Sequence, residues 1–287
     1  MKKASCGVIY LVPVPIGNLG DITLRALEVL KSASLIACED TRNTAFLLGN
    51  YNIPVPKLIS FHKFNEKQRE NMLFDHVESG KDLVVVSDAG SPAISDPAEM
   101  LVQVAIQKGI NVIALPGATA CIPAISISGF STRQFQFVGF LPSDKARRKS
   151  KIREISEYQY PSIIYESPHR LLECLSELHE ACGDRSISII REISKLHEEH
   201  IYTSLGQASG NDEITLRGEF CIVLQGCSAS ESDVHISEAD INLHIAQCFK
   251  KAMGTKAISI ELSEAFGLSR GEAYDKVVQY LKKWNRK

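Results

Sequence analysis

The chain has 287 residues, of which 44% are hydrophobic and 23% charged, and its formal net charge is −2. This composition predicts a globular protein with two or three domains, and it argues against a disordered chain or one that coats nucleic acid without sequence preference. The apolar runs are shorter than a membrane span, and the first residues lack a signal-peptide cleavage site, so we expect a cytoplasmic protein.

Strands and helices alternate in the first part of the chain, which is typical of an α/β domain with a parallel sheet. Apolar runs predict strands near residues 8–12, 34–38, 58–61, 83–87 and 111–115. Helices are predicted near residues 22–32, 41–49, 65–79, 97–108 and 118–127. We therefore expect an N-terminal α/β domain over residues 1–116.

A second α/β domain is predicted over residues 117–228, with a cleft between it and the first. Its strands are expected near residues 135–140, 161–166, 186–191, 198–204 and 219–225. A polar linker then leads into a helical module over residues 234–287, whose last two helices resemble a helix-turn-helix.

The helix-turn-helix pattern has its own capping signal. Ser269 is placed to cap the last helix and Glu272 to complete a capping box, with Tyr274, Val277, Val278 and Leu281 packing inward. This motif occurs in packing domains and in nucleic-acid-binding domains, and the residues leave both roles open.

Small-residue loops follow three of the predicted strands. They contain Pro13 to Asp21, Ser87 to Pro92 and Pro116 to Ala120. Because ligands of open α/β sheets bind at the carboxyl ends of the strands, these loops predict a pocket, although each loop could be only a turn. None matches a dinucleotide fingerprint or a P-loop, so a nicotinamide or a nucleoside triphosphate finds no support.

Charged segments supply candidates for substrate contacts. Residues 145–153 hold six cations in nine positions, and a second basic run closes the chain at residues 282–287. Both could bind phosphates, or could be a solvated helix face and a frayed tail. Glu166, His169 and Arg170 follow a strand that ends at the predicted cleft, where they could meet a substrate or cap a helix.

Metal binding is the weakest of the chemical possibilities in the sequence. The segment from His197 to His200 places its histidines three residues apart, not four as on a zinc protease helix. The eight cysteines form no Cys-x-x-Cys pair and are expected to be reduced core thiols. The sequence therefore predicts no metal site.

Several motifs together resemble one bacterial family, the ribosomal RNA small-subunit methyltransferase I family. The resemblance covers about residues 8–226. It is carried by Val-Pro-Val-Pro-Ile-Gly-Asn-Leu-Gly-Asp-Ile-Thr at residues 12–23, Glu39-Asp40-Thr41-Arg42, Ser87-Asp88-Ala89-Gly90-Ser91-Pro92, Pro116-Gly117, Tyr165-Glu166-Ser167-Pro168-His169-Arg170, Arg191-Glu192-Ile193-Ser194-Lys195 and Gly218-Glu219-Phe220.

The resemblance implies a two-domain tetrapyrrole-methylase fold of class III methyltransferases, followed by a small all-helical domain. It also implies S-adenosylmethionine as cofactor, a homodimer, and 2′-O-methylation of a cytidine ribose in the decoding centre of small-subunit rRNA. The cofactor residues carried over by the resemblance are Asp88, Ala89, Gly90, Ile94, Ser95, Thr119, Ala120, Tyr165 and Glu166.

Methyl transfer to a ribose hydroxyl also requires a group that takes the hydroxyl proton. The candidates are Lys195 with a lowered pKa, then Glu39 and Asp40, although each could equally form a structural ion pair. Positively charged or hydrogen-bonding side chains suit contacts with rRNA phosphate or ribose. For these contacts the sequence offers Arg42, His62, Arg147, Arg148, His169 and Arg170.

Two other classes of function remain open at this point. A tetrapyrrole C-methyltransferase would share the fold and cofactor, but it needs neither a basic face nor a helical module. It also usually carries a Gly-Gly-Asp-Pro type loop, which this sequence lacks. The third possibility is a regulator that senses a small ligand and binds DNA through its terminal helices; methyl transfer to rRNA would reject it.

Overall fold

Two five-stranded sheets with the helices that cover them, and a set of C-terminal helices, form the part of the protein that the structure describes. It is a computed structural model, and it describes residues 6–62, 66–94, 98–210, 214–227, 238–250, 253–266 and 268–284. The chain divides into two units, Met1–Cys227 and Ser228–Lys287, and both sheets belong to the first unit.

All strands of the first sheet are parallel, in the order β3-β2-β4-β1-β5. Every residue of β2 and β4 is buried, and successive residues pack into two separate apolar clusters, one on each face. Such strands are expected where helices cover both faces of a sheet. The strands are β1 Ile9–Leu11, β2 Leu35–Cys38, β3 Lys57–Ser60, β4 Leu83–Val86 and β5 Val112–Ala114.

Helices connect these strands, and the predicted alternation is confirmed. Thr23 and Asp40 cap α1 and α2, and their side chains accept hydrogen bonds from the backbone N–H groups of Ala26 and Arg42. The helices are α1 Leu24–Ser32, α2 Thr41–Asn50, α3 Glu66–Glu78 and α4 Ala98–Gln107.

The second sheet is mixed, in the order β6-β7-β10-β8-β9, and only its pair β6 and β7 is parallel. Helix α5 packs on one face, and the other three helices pack on the opposite face. The strands are β6 Gln136–Phe140, β7 Ser162–Glu166, β8 Ser186–Arg191, β9 Glu199–Ser204 and β10 Phe220–Leu224. The helices are α5 Cys121–Ile127, α6 Lys145–Glu157, α7 Leu171–Cys182 and α8 Leu205–Ala208.

The C-terminal unit contains the helices α9 Glu238–Lys250, α10 Thr255–Phe266 and α11 Arg270–Trp284. The predicted capping box is confirmed: Glu272 Oε2 accepts from the backbone and the hydroxyl of Ser269, and Ser269 Oγ accepts from the backbone N–H of Glu272. The prediction that Tyr274 packs inward is wrong. It is half exposed, because the neighbouring Ala273 takes the buried position beside Val277.

None of the helices in the described part of the chain is long and apolar enough to cross a membrane. The cysteines are all unbridged, and four of them, Cys38, Cys174, Cys221 and Cys248, are buried. Burial raises the pKa of the Cys174 thiol to about 12, so this thiol is a protonated core group.

Candidate functional site

A cavity of about 470 Å³ lies between the edges of the two sheets in the first unit. The first sheet contributes the segments that follow the carboxyl ends of its strands. These are Ile16 after β1, Glu39 after β2, Ser87 to Ser91 and Ile94 after β4, and Thr119 and Ala120 after β5. This is the edge at which open α/β sheets bind ligands.

The second sheet contributes the opposite wall. Phe140 and the segment Tyr165 to Pro168 come from the carboxyl ends of the parallel pair β6 and β7. Ile193 follows β8, and Gly218 to Cys221 lead into β10, which runs antiparallel to its neighbours. Both sheets therefore present the same kind of edge to one cavity.

Of the nine residues expected to bind a cofactor, eight line this cavity. They are Asp88, Ala89, Gly90, Ile94, Thr119, Ala120, Tyr165 and Glu166. Ser95 lies outside the described residues.

Gly90 shapes the loop that follows β4. Its φ is +77°, a conformation that favours glycine, and its backbone pairs with Val14 through hydrogen bonds of 2.9 and 3.0 Å. A Cβ atom added at Gly90 would stand 3.3 Å from Ile16 Cγ2. The small residue thus lets the loops after β1 and β4 approach each other at the cavity wall.

Carboxylates form a hydrogen-bonded network at the ends of β2 and β4. Glu39 Oε1 accepts from the backbone N–H of Asp88 at 3.3 Å. Asp88 in turn accepts from the backbone N–H of Asp40 at 3.1 Å and from Asn43 Nδ2 at 3.1 Å. This network holds Asp88 at the first turn of α2 and places the Glu39 side chain in the cavity lining.

Asp40 is a poor proton acceptor because it is the N-cap of α2 and pairs with Arg42. Hydrogen bonds from the Arg42 side chain and backbone lower the pKa of Asp40 to about 2. Among the carboxylates proposed from the sequence, Glu39 is therefore the better candidate for taking a proton near neutral pH.

Lys195 forms a second cluster of charges beside the cavity. Its Nζ lies 2.7 Å from Glu192 Oε1 and 3.0 Å from Glu219 Oε2. Burial lowers the pKa of Lys195, but hydrogen bonds from Nζ to these two carboxylates outweigh it and raise the pKa above its ordinary value. The expectation of a lowered pKa is wrong, and Lys195 is an ammonium ion here.

The backbone around Lys195 is strained. Glu192 and Ser194 have φ values of +53° and +67°, which side-chain-bearing residues rarely adopt. The Ser194 hydroxyl donates to Asp21, and the Lys195 stem lies so close to Gly17 that a Cβ there would meet Lys195 Cγ at 2.4 Å. The loop after β8 therefore packs against the loop after β1.

Arg148 requires a correction, because the structure buries it. Its side chain is only 6% exposed, with Nε 2.5 Å from Glu177 Oε2 and Nη1 3.6 Å from Glu166 Oε2. A guanidinium at this depth cannot contact rRNA phosphates. The Glu166 carboxylate is likewise fully buried, so only its backbone can meet a ligand in the cavity.

Arg170 also has a structural role. Its guanidinium donates to the carbonyls of Leu141 and Pro142 at 3.0 and 3.3 Å and lies 3.7 Å from Glu166 Oε1. It therefore fixes the segment between β6 and α6, although 30% of its side chain stays exposed.

The other residues expected to contact rRNA lie near strand ends; Arg42, Arg147 and His169 are exposed, and His62 is partly buried. Arg42 is in the first turn of α2, and His62 follows β3. Arg147 is exposed in the first turn of α6, which follows β6, and His169 is exposed after β7. Because these positions follow carboxyl ends of strands, they share the sheet edges that form the cavity.

Among the residues at or beside this site that sequence reasoning missed are Glu192, Glu219 and Ile193. Glu192 and Glu219 stand in the motifs that carry the family resemblance, but no pattern gave them a role. Their pairing with Lys195 depends on β8 and β10 being neighbours, which places residues 192 and 219 side by side. Ile193 lines the cavity from the strained loop, and no sequence signal identifies that loop.

Comparison with protein families gives a match over most of the first unit. The model of the Tetrapyrrole (Corrin/Porphyrin) Methylases matches residues 8–209. A Ribosomal RNA small subunit methyltransferase I from Halalkalibacterium halodurans is 44% identical over 221 residues, which cover 77% of this chain and 76% of the relative. A protein of the same name from Synechocystis sp. is 38% identical over 270 residues, covering 93% and 96%.

Solved structures show the same fold at low identity. A uroporphyrin-III C-methyl transferase from Thermus thermophilus, complexed with S-adenyl homocysteine, superposes with a TM-score of 0.54 at 18% identity. The superposition covers 76% of this chain and 97% of that one.

Proposed function

Since this chain belongs to the ribosomal RNA small-subunit methyltransferase I family, within the tetrapyrrole methylases, we propose that it uses S-adenosylmethionine to methylate small-subunit rRNA. The proposed target is the ribose 2′-oxygen of a cytidine in the decoding centre. The proposal rests on the cavity between the two sheet edges, which is found in a chain that belongs to this family.

The residues of the cavity fit the cofactor. Its volume of about 470 Å³ falls within the usual size of small-molecule sites, about 300–1,000 Å³. Ile16, Ile94 and Ile193 give an apolar surface suited to a purine, and Glu39 and Asp88 supply negative charge suited to an ammonium or a sulfonium. We assign cofactor binding to the eight lining residues named above, with Ser95 retained as a proposal.

S-adenosylmethionine, when bound, supplies a methyl group activated on a positively charged sulfur. The residues of the chain must hold the ribose hydroxyl in line with that methyl group and exclude water. As an ammonium ion, Lys195 is suited to stabilise negative charge that develops on the attacking oxygen. The Glu39 carboxylate is the proposed acceptor of the hydroxyl proton.

Basic and hydrogen-bonding side chains near the strand ends are the proposed contacts to rRNA. Lys145, Arg147 and Lys149 are exposed in the first half of α6, whereas Lys151 and Arg153 pair with Glu154 and Glu157. Arg42, His62 and His169 extend this set along neighbouring strand ends. Such contacts position the nucleic acid and do not read its sequence.

The assembly and location of the protein are part of the same proposal. We propose a cytoplasmic homodimer whose substrate is the rRNA or the assembled small subunit. The C-terminal unit is proposed to add contacts to the rRNA through its helix-turn-helix-like pair α10 and α11.

The direct test is methyl transfer in solution. The full-length protein is incubated with labelled S-adenosylmethionine and small subunits from a strain that lacks the enzyme, and ribose-methylated positions are then mapped. We expect one labelled cytidine in the decoding centre. No label in RNA, or label in a tetrapyrrole acceptor supplied in parallel, would overturn the proposal.

Cofactor binding is tested separately with a pair of glycines. Gly90 and Gly109 both have a positive φ, but only Gly90 lies at the cavity, and a Cβ at Gly109 meets nothing within 4 Å. We expect Gly90→Val to abolish S-adenosylmethionine binding in calorimetry, whereas Gly109→Ala retains it. Equal affinities for the two variants would remove the loop after β4 from the cofactor site.

A further inference from the structure

Three potential metal ligands meet between the first two helices of the C-terminal unit. His244 and Cys248 lie four residues apart on α9, and Glu261 lies on α10. Side chains at this spacing share one face of a helix, so α9 presents an imidazole and a thiol to the same point. One ligand atom from each residue lies within 4.8 Å of the other two, and His244 Nε2 is 3.5 Å from Glu261 Oε1.

These distances suit a tetrahedral zinc ion. Zinc binds sulfur at about 2.3 Å and nitrogen or oxygen at about 2.0–2.2 Å, which places neighbouring ligand atoms roughly 3.3–3.7 Å apart. The His244 and Glu261 atoms already have this separation, and the other pairs need to close by about 1 Å at most. We propose that His244, Cys248 and Glu261 bind one Zn²⁺ ion between α9 and α10, with water as the fourth ligand.

The donor set favours zinc over the hard cations. Thiolate and imidazole are soft or borderline ligands that select zinc and related transition metals, whereas Mg²⁺ and Ca²⁺ prefer oxygen. A thiolate and a carboxylate together carry two negative charges, which a divalent ion neutralises. Cys248 is 1% exposed, while about a quarter of His244 and a third of Glu261 are exposed, so the ion has an entry path from solvent.

The ion would link two helices of the C-terminal unit, and the position taken by water would stay open to a further ligand. The C-terminal unit, Ser228–Lys287, is small, and chains of fewer than about 70–80 residues often depend on a metal or a disulfide for stability. Its apolar core includes Cys248 itself, together with Ile245, Ile258 and Leu262 from the same two helices. An ion held by α9 and α10 would fix these helices against each other at the edge of that core.

This inference adds a site that the sequence analysis did not find. The histidine pair considered there, His197 and His200, flanks the start of β9, and His200 Nε2 pairs with Glu198 at 2.7 Å. The proposed site instead needs residues from two helices, and the separation of Cys248 and Glu261 along the chain hides it from a motif search. It does not depend on methyl transfer by the first unit.

The test uses the reduced, full-length protein after removal of metals with a chelator. Zn²⁺ is titrated in a calorimeter, and Co²⁺ is added as a spectroscopic probe, because a cobalt ion bound to a thiolate gives sulfur-to-metal charge-transfer absorption. We expect one ion per chain, the charge-transfer band, and slower amide exchange in α9 and α10 with Zn²⁺ present.

Variants identify the ligands. Cys248→Ser should abolish the charge-transfer band, and Cys6→Ser, which changes an exposed cysteine of the other unit, should leave it unchanged. His244→Gln and Glu261→Gln alter partly exposed side chains, so they serve even where Cys248→Ser fails to fold; each should weaken Zn²⁺ binding roughly a hundredfold. The proposal is overturned if the wild-type protein binds no stoichiometric Zn²⁺, or if binding survives all three ligand substitutions unchanged.

Discussion

Two clusters of charged side chains in the first unit use similar chemistry at different depths. In the Arg148 cluster, formed with Glu166 and Glu177, the exposed fractions of the three side chains are 6%, 0% and 35%. In the Lys195 cluster, formed with Glu192 and Glu219, the three exposed fractions are 24%, 18% and 77%. Each cluster has one cation held by two carboxylates, but the cation is nearly inaccessible in the first, whereas every member of the second is partly exposed beside the cavity.

The comparison shows that burial distinguishes charged side chains that stabilise the fold from those that a substrate can reach. Removing one partner of a buried ion pair leaves an uncompensated charge in a poorly solvated place, so the Arg148 cluster is tied to the stability of the fold. In the Lys195 cluster water can compensate a missing partner, so its residues are available to a substrate. Residue type alone does not separate these roles, since Arg148 stands in the same basic run as the exposed Arg147.

The largest effect is expected when Arg148 is removed. Arg148→Ala should lower the free energy of unfolding by about 3–5 kcal/mol, because the fully buried Glu166 carboxylate loses one of its two cations and is left with Arg170 alone. Chemical denaturation measures the change, and Arg147→Ala is the matched control, expected to change stability by less than about 0.5 kcal/mol. If the two substitutions changed the free energy of unfolding equally, burial would not explain which of the two arginines stabilises the fold.

Substitutions in the Lys195 cluster should lower the rate of methyl transfer strongly and the stability of the fold much less. Lys195→Ala should lower the single-turnover rate of methyl transfer about a hundredfold, because the developing charge on oxygen loses its ammonium partner. Cofactor affinity should stay within about threefold, and the free energy of unfolding within about 1 kcal/mol.

Lys195→Arg keeps the charge and should recover part of the lost rate. A Lys195→Ala enzyme that turns over at the wild-type rate would show that this cluster, like that of Arg148, serves the fold alone. Glu39→Gln is the parallel test of the proposed proton acceptor, and its effect on the rate should shrink as the pH falls, because the wild-type carboxylate can accept a proton only while it is ionised.

A smaller effect is expected from displacing Lys195 without changing its charge. Gly17→Ala would place a Cβ 2.4 Å from Lys195 Cγ, so the lysine stem must shift, and the rate should fall roughly tenfold with little change in cofactor affinity. Gly183→Ala is the control: Gly183 also has a positive φ, but a Cβ there meets nothing within 4 Å. Equal rates for the two variants would contradict a positional role for Lys195.

Much of the fold could be predicted from local sequence patterns, but the burial and the partners of the charged side chains could not. Buried strands such as β4, with four apolar residues before a small-residue turn, predict both the sheet and the loop that lines the cavity. The depth of Arg148 depends on α6 packing against α7, and the partners of Lys195 depend on β8 lying beside β10. These are long-range contacts, which composition and spacing do not encode.

The smallest effect concerns an ion pair outside both clusters, Arg42 and Asp40, whose side chains are 89% and 26% exposed. Hydrogen bonds from Arg42 lower the pKa of Asp40 from 3.8 to about 2 in the folded protein. A carboxyl group with a lowered pKa in the folded state stabilises it above the unfolded pKa, and this contribution disappears as the pH falls through the folded pKa. Asp40 should therefore contribute its stabilisation above about pH 4 and lose it between about pH 4 and pH 2.

Asp40→Asn tests this contribution, because asparagine retains the N-cap of α2 but cannot form the ion pair. The difference in free energy of unfolding between wild type and Asp40→Asn should be constant above about pH 4 and should shrink toward pH 2. Arg42→Gln removes the cause of the lowered pKa and should flatten the same pH dependence. A difference that stays constant down to pH 2 would mean that the charge of Asp40 adds no stability, and that Arg42 does not lower the pKa of Asp40 in the folded protein.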